Sequence, residues 1–488
     1  MLAERKRWIA FWILCCGELM VVLDSTIVNV ALPSIRRDLG FSEESLAWVV
    51  NGYMLTYGGC LLLGGRLGDL YGQRRVFLAG ITGFTLASIG CGLSTSQTML
   101  VAFRAVQGVG GALATAVGFA LVVTLFSEPG HRAKAMGITG FVASGGGALG
   151  VVLGGVITDA LSWHWVFLVN VPIGIGVCVL VLRLVDETSA PAARRRLDVA
   201  GALVITSALM LAVHTVVKAN SAGWGSFDTL GQLALSAVLL TVFIVIESRV
   251  STPLVRLGLF RSRNLAVSNV VGVLWAGSMF AWFFMSALYL QQVLHFSPLK
   301  VGLAFLPGNL VMMACSVSLS AKLVVRYGYR LPLGAGLGIA AAGLAWFARA
   351  PLHGSLAVDV LPPMVLLGLG GGIAFNPMLL AAMDDAGPEE SGLASGAVNT
   401  AFMMGGALGL AVLASIAASA SHGDSSPAGL LTGYHLAFVV GAALSVLAAV
   451  IGALGLRERA DDLGQGEADA TSSDVDLLQL DRDLLAQR

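Results

Sequence analysis

Charge is what this sequence has least of. Only 12% of its 488 residues are Asp, Glu, Lys or Arg, against roughly 25% in an ordinary soluble domain. Over this length the deficit excludes a typical soluble chain and points to a polytopic membrane protein. The charges balance, 29 basic against 29 acidic, which leaves no net positive field for a nucleic-acid partner. Metal signatures are missing as well. Cys15, Cys16, Cys60, Cys91, Cys178 and Cys315 lie inside apolar runs with no CxxC, and no HExxH occurs. The cysteines therefore read as small packing residues and no metal site is expected. There is no GxxxxGK[ST] loop, so no ATPase chemistry is expected in this chain and no ATPase subunit is implied. The first apolar run is long and lacks a small-x-small cleavage site, which argues against a cleavable signal peptide.

What is present is apolar sequence in long runs. A helix needs about 20 apolar residues to cross a bilayer core, and fourteen runs of that order can be counted, at 8–32, 46–65, 76–96, 98–126, 136–159, 164–184, 198–217, 230–248, 265–291, 301–322, 331–349, 358–381, 394–419 and 433–456. Basic residues test this reading. With the N-terminus inside, 23 of the 29 fall in cytoplasmic segments, including Arg5, Lys6, Arg7, Arg66, Arg74, Arg75, Arg194, Arg195, Arg196, Arg256, Arg326, Arg459, Arg482 and Arg488. Such an asymmetry follows the positive-inside rule and puts both termini on the cytoplasmic side of a cell membrane.

The chain repeats itself. GGALG stands at Gly146–Gly150 and again at Gly405–Gly409, and RLGDLYGQRR (Arg66–Arg75) faces KLVVRYGYRL (Lys322–Leu331) at a similar shift. The expected fold is all-α: a six-helix half at 1–185, two inserted spans at 186–257, and a second half at 258–460. Parallel halves packed about a midplane site are one transporter architecture. The acidic segment 461–488 reads as a disordered tail.

Three charged residues lie well inside spans: Glu18, Asp24 and Arg104. A charge near the centre of a span costs about 2.5–3.5 kcal/mol or more, so such residues read as functional. Rise per residue puts Asp24 about 12 Å and Arg104 about 9 Å from the same side of the membrane, close enough in depth to pair. Glu18 lies about 120° around the helix from Asp24 and cannot point at the same neighbour. Burial disfavours a charged carboxylate and a nearby Arg favours it. An acid between these effects can exchange a proton as its surroundings change; the alternative is a structural Asp24–Arg104 clamp that never titrates. Trp275, Met279 and Trp282 share one face of span 9, as a wall for a planar, hydrophobic solute or as lipid-facing aromatics.

Gly64–Arg75 reads GGRLGDLYGQRR, a tight charged turn in which glycine permits the reversal and Asp69 can cap or pair with neighbouring basic residues. This turn resembles the loop 2–3 motif of the major facilitator superfamily. RAVQGVGGA (Arg104–Ala112) looks like the span 4 motif of its proton-coupled members, LDSTIVNVALP (Leu23–Pro33) like span 1 of the fourteen-span drug:proton antiporter branch, and WHWVFLVNVPIG (Trp163–Gly174) like that branch's span 5–6 junction. The resemblance implies alternating access, in which inward proton movement drives a solute out with no cofactor beyond the proton gradient. It implies that Asp24 binds proton or substrate, that Arg104 and Gln107 belong to the proton pathway, and that Asp69 and Arg74, with Gly65 and Gly72 of the same turn, form a cytoplasmic gate; Glu18, by its place inside the span, is a further proton-coupling candidate and Asn29 a substrate-binding one.

Three departures stand out. Leu70 and Gln73 replace basic residues usual in the gate. Gly150, Gly154 and Gly155 of the span 5 motif stand without its proline, which removes a kink and restores a backbone donor. The second half has no Arg-Gln pair after Asn399 and no acid inside its spans to match Asp24, which places the coupling on Asp24 and Arg104. The glycine runs of spans 4 and 5 sit inside apolar helices, where small residues serve close packing rather than dinucleotide binding. The expected activity is not enzymatic: it is export of hydrophobic or cationic small molecules such as antibiotics. A polar-metabolite exporter and, more remotely, a non-transporting receptor are the alternatives.

Overall fold

The computed structural model describes residues 2–126, 128–185, 198–250, 253–254, 257–384, 391–421, 423–424 and 426–457. The acidic tail and the basic residues Arg194, Arg195, Arg196, Arg256, Arg459, Arg482 and Arg488 lie outside the described residues. Fourteen long helices account for most of the rest. They are α1 (Leu2–Leu39), α2 (Trp48–Tyr71), α3 (Gln73–Gly92), α4 (Gln97–Leu125), α5 (Pro129–Ala160) and α6 (Trp165–Leu184). The inserted pair is α7 (Val199–Ala222) and α8 (Phe227–Arg249). The second set is α9 (Arg263–Val293), α10 (Pro298–Tyr327), α11 (Arg330–Phe347), α12 (Leu356–Asp384), α13 (Ser391–Ala420) and α14 (Pro427–Gly455).

Twelve of them are long and apolar enough to cross a membrane. The other two are α2, diluted by Asn51 and its glycines, and α5, whose apolar part among the described residues is Gly145–Ala160. Each of the fourteen apolar runs falls on a helix, and twelve of these helices meet that standard. Large apolar side chains such as Leu203, Leu230, Val238 and Ile244 are exposed, as lipid-facing residues are, and the chain is a multi-pass membrane protein.

Local sequence sets the helix ends. Ser96, Ser226, Ser262, Ser297 and Ser426 each accept a backbone N–H as N-cap of the helix that follows, satisfying a donor that the first turn leaves free. Gly72, at φ 94°, both ends α2 and opens α3, a left-handed conformation that glycine adopts without strain. One expectation is corrected here. The first span was expected to stop at residue 32, but α1 runs through Pro33 to Leu39. A proline removes one backbone bond, and a helix held by its neighbours tolerates the loss.

Helices α1–α6 pack as one group and α9–α14 as another, with α7 and α8 outside the seam where α2 meets α13. Ser415 Oγ of α13 donates to Val216 O of α7 (3.2 Å), and His214 of α7 lies 6.4 Å from the Trp48 ring of α2. The two groups close together on the membrane face opposite the N-terminus. There Arg36 Nη1 donates to Gln292 Oε1 (2.8 Å) and Gln291 Nε2 donates to Val30 O (2.8 Å). Gln291 and Gln292 belong to a π-helical turn, Tyr289–Val293, a distortion frequent at functional sites.

Candidate functional site

Three glycines bring α4 into the centre of the first group. A side chain at Gly110 would place its Cβ 2.6 Å from Phe84 N and 2.8 Å from Gly80 O, and one at Gly80 would meet Ala114 N at 2.7 Å. A Cβ at Gly108 would collide with the Tyr53 carbonyl. Only bare backbones permit this approach of α2, α3 and α4, and it carries Arg104 and Gln107 inward to Asp24 of α1.

The result is a closed polar network. Arg104 Nη1 lies 2.6 Å from Asp24 Oδ2 and 2.7 Å from Gln107 Oε1, and Arg104 Nε donates to Val49 O at 2.9 Å. Gln107 Nε2 donates to Asp24 Oδ1 and to Ser88 Oγ, each at 2.8 Å. Asn170 Nδ2, from α6, donates to the same Asp24 oxygen at 2.8 Å. The guanidinium carbon stands 4.4 Å from the Tyr53 ring centre and 5.7 Å from that of Phe167. Asp24, Arg104, Gln107, Ser88 and Asn170 are all 0% exposed. The similar depth expected for Asp24 and Arg104 is realised as a direct ion pair. Asp24 Oδ1 accepts from two side chains and Oδ2 from Arg104 alone, so a proton arriving at Oδ2 would neutralise the acid of the ion pair and weaken its hold on Arg104.

Asn170 and Ser88 were not among the expected site residues. Asn170 had one legible signal, an amide within the Trp163–Gly174 motif, but its partner lies 146 positions away. Ser88 had none.

The other expected residues distribute as follows. Glu18 is outside the Asp24 hydrogen-bond network and accepts from Thr115 Oγ1 at 3.0 Å. Asn29 is buried and donates to its own helix, at Ser25 O (3.3 Å) and Thr26 O (3.4 Å). Trp275 and Trp282 are buried, Met279 is partly so, and the three line a cavity of about 10 Å³ inside the second group with Ser278, Met312 and Ser445. They face the protein rather than lipid. Trp275 packs edge-on to Phe402 (5.4 Å between ring centres). Gly154 and Gly155 are contact glycines: a Cβ at Gly154 would lie 2.6 Å from Ile27 O, and one at Gly155 2.7 Å from Pro298 O of the other group. Gly150 lies equally close to α1, at 2.9 Å from Leu23 O. Without a proline, α5 is one continuous helix. In the turn motif the structure does not bring Asp69 and Arg74 together. Asp69 is exposed, Arg74 Nη2 donates to Leu182 O (2.6 Å), and Gly65 has open space around it.

Two six-helix groups meeting at a seam, with a buried acid–arginine pair in the first, define a helical membrane-transport fold. The Major Facilitator Superfamily matches residues 14–410, and the chain belongs to that family. It is 40% identical over 440 residues to the Cephamycin export protein CmcT of Amycolatopsis lactamdurans, covering 90% of each chain. It is 37% identical over 459 residues to the Puromycin resistance protein pur8 of Streptomyces alboniger, covering 92% of this chain and 91% of that one. A solved bacterial homologue of the human drug peptide transporters PepT1 and PepT2 superposes with a TM-score of 0.64 at 18% identity, over 91% of this chain and 97% of the other; that likeness concerns the fold.

Proposed function

We propose that this protein is a proton-coupled efflux transporter that exports hydrophobic or cationic small molecules, antibiotics or secondary metabolites among them, by alternating access. The observation that carries the reading is the Asp24–Arg104–Gln107–Asn170 network, a fully buried acid whose every donor comes from a side chain that can move. Proton entry releases Asp24 from Arg104 and loosens α1 against α4 and α6. Proton release restores the pair. The closure of α1 on α9 gives the cycle its second state to leave, since those contacts must break for the opposite face to open. The names of the two relatives, one an export protein and one a resistance protein, support the direction of transport. Glycine contacts at Gly150, Gly154 and Gly155 set the packing of α5 against α1 and α10, and Gly65, Asp69, Gly72 and Arg74 gate the N-terminal face. Trp275, Met279 and Trp282 shape the second group's wall of the solute path, and Asn29 stiffens the helix that carries Asp24.

The protein resides in the cell membrane with both termini in the cytoplasm, works with solute, protons and lipid alone, and needs no cofactor, metal or ATPase subunit. Expression in a drug-sensitive host tests this. Cells expressing the protein accumulate less of a fluorescent hydrophobic cation such as ethidium than controls, and a protonophore abolishes the difference. Accumulation unaffected by the protein across neutral and cationic drugs would refute efflux; efflux that survives the protonophore but fails on ATP depletion would refute proton coupling.

A further inference from the structure

The second group repeats the frame that holds the Asp24 network. A Cβ at Gly370 of α12 would lie 2.5 Å from Gly336 O and 2.6 Å from Ala340 N of α11, as one at Gly110 of α4 would lie 2.8 Å from Gly80 O and 2.6 Å from Phe84 N of α3. The residues at equal spacing from these glycines differ. Leu367 stands three before Gly370 where Gln107 stands three before Gly110, and Leu344 stands eight after Gly336 where Ser88 stands eight after Gly80. Across the site, Ser445 Oγ of α14 donates to Ser278 Oγ of α9 (3.1 Å), as Asn170 of α6 donates to Asp24 of α1. Where the first group has its ion pair, the second has the cavity of about 10 Å³, which Trp282, Leu344 and Leu367 line. The hydroxyls there are already committed: Ser278 Oγ donates to Leu274 O (3.0 Å) and Ser445 Oγ to Ser278. The indole of Trp282 is not. This residue is 2% exposed, and its Nε1 donates to no acceptor among the described residues.

We propose that this cavity is a recognition subsite for the carbonyl oxygen of an uncharged, hydrophobic solute, with Trp282 Nε1–H as its donor. The inference rests on the efflux reading and narrows its solutes: the first group's frame handles the proton, and the second group's copy meets the solute. Burial without an acceptor destabilises a donor, and an incoming acceptor relieves that cost. Among the described residues no charged side chain lines the cavity, so an ammonium or carboxylate would be buried there unpaired, a penalty that a neutral carbonyl avoids. The volume is of the order of one water-sized group, enough for the oxygen while the ring system that bears it stays outside. Met279 and Met312, flexible side chains on the lining, can yield to that ring system.

A matched pair of probes tests the subsite: 9-fluorenone and fluorene, which share one ring system and differ by the carbonyl. In isothermal titration of the purified full chain, fluorenone should bind wild type at least about tenfold tighter, a difference of about 1.4 kcal/mol. It should also move one indole N–H proton resonance downfield. Trp282→Phe removes both that resonance and the preference. Gly371→Ala is the second variant: its Cβ would meet Met312 Sδ at 3.6 Å and Trp275 Cζ2 at 3.7 Å, ordinary contacts, so it fills the cavity without strain and should also abolish the preference. Equal affinities in wild type, a preference that survives either substitution, or indole resonances unmoved by fluorenone, as a resident water would leave them, would overturn the subsite. A Trp282-dependent preference in a protein that lowers no drug's accumulation in cells upholds the subsite and overturns the efflux reading.

Discussion

Gly155 of α5 is the point where a single methyl group has the clearest mechanical consequence. Its missing side chain faces the other half of the molecule, 2.7 Å from Pro298 O and 2.9 Å from Leu299 Cα of α10. Ordinary contact begins near 3.4 Å, so Gly155→Ala demands a separation of about 0.7 Å at the closest atom. Both obstructing atoms are backbone, so no rotamer change relieves the clash. Overpacking of this kind costs about 1–3 kcal/mol. Because α5 and α10 belong to different halves, the strain exists only while the face opposite the N-terminus is closed. The equilibrium should shift toward opening of that face by a factor of about 5–150. Spin labels at Leu93, beyond α3, and Arg349, beyond α11, are exposed and sit one on each half. Pulsed electron–electron distance measurement in nanodiscs should show a new, longer population in Gly155→Ala. Gly176, with nothing within 4 Å of its Cβ position, supplies the control: Gly176→Ala should leave the distribution unchanged. An unaltered distribution in a folded Gly155→Ala variant would refute the argument that this seam opens.

Two further outcomes follow from named contacts. Asn170→Ala removes one of the two donors to Asp24 Oδ1; a hydrogen bond to a charged group contributes about 1.5–3 kcal/mol, so substrate-driven proton flux should fall at least about tenfold, with Asn170→Ser, which keeps a hydroxyl donor, losing less. Wild-type flux in Asn170→Ala would remove Asn170 from the network's function. In the loop before α14, Ser426 N and Oγ donate to the Asp424 carboxylate (2.8 Å each) and hold its pKa below the usual range. A depressed carboxylate contributes its support above the ordinary Asp pKa and loses it as pH falls through the depressed value. The melting-temperature difference between wild type and Asp424→Asn should therefore be present at neutral pH and vanish on acidification. A difference that grows toward low pH would contradict that sign.

Much of this could be read in one dimension. Span length and charge are local properties, so the helices and the burial of Asp24 and Arg104 followed from counting, and rise per residue placed the pair at one depth. The 120° offset likewise separated Glu18 from Asp24. What counting could not supply is azimuth between helices. Asn170 and Ser88 converge on the site only because glycines at 80, 108 and 110 set how closely α2, α3 and α4 approach. The same limit hid the inward face of Trp275 and Trp282, since a shared helix face is legible but its neighbour is not. Pro33 misled for a different reason: its local preference to end a helix was overridden by packing around α1. Nor does spacing show where Arg74 reaches: its guanidinium donates to Leu182 O near the end of α6, away from Asp69.

The central claim is that Asp24 carries the proton whose movement drives export. Wild type and Asp24→Asn, reconstituted in proteoliposomes with a pH-sensitive dye inside, address it directly. Addition of a transported solute should move protons in wild type, and in Asp24→Asn the solute should still bind but move none. Undiminished solute-coupled proton movement in Asp24→Asn would contradict the account.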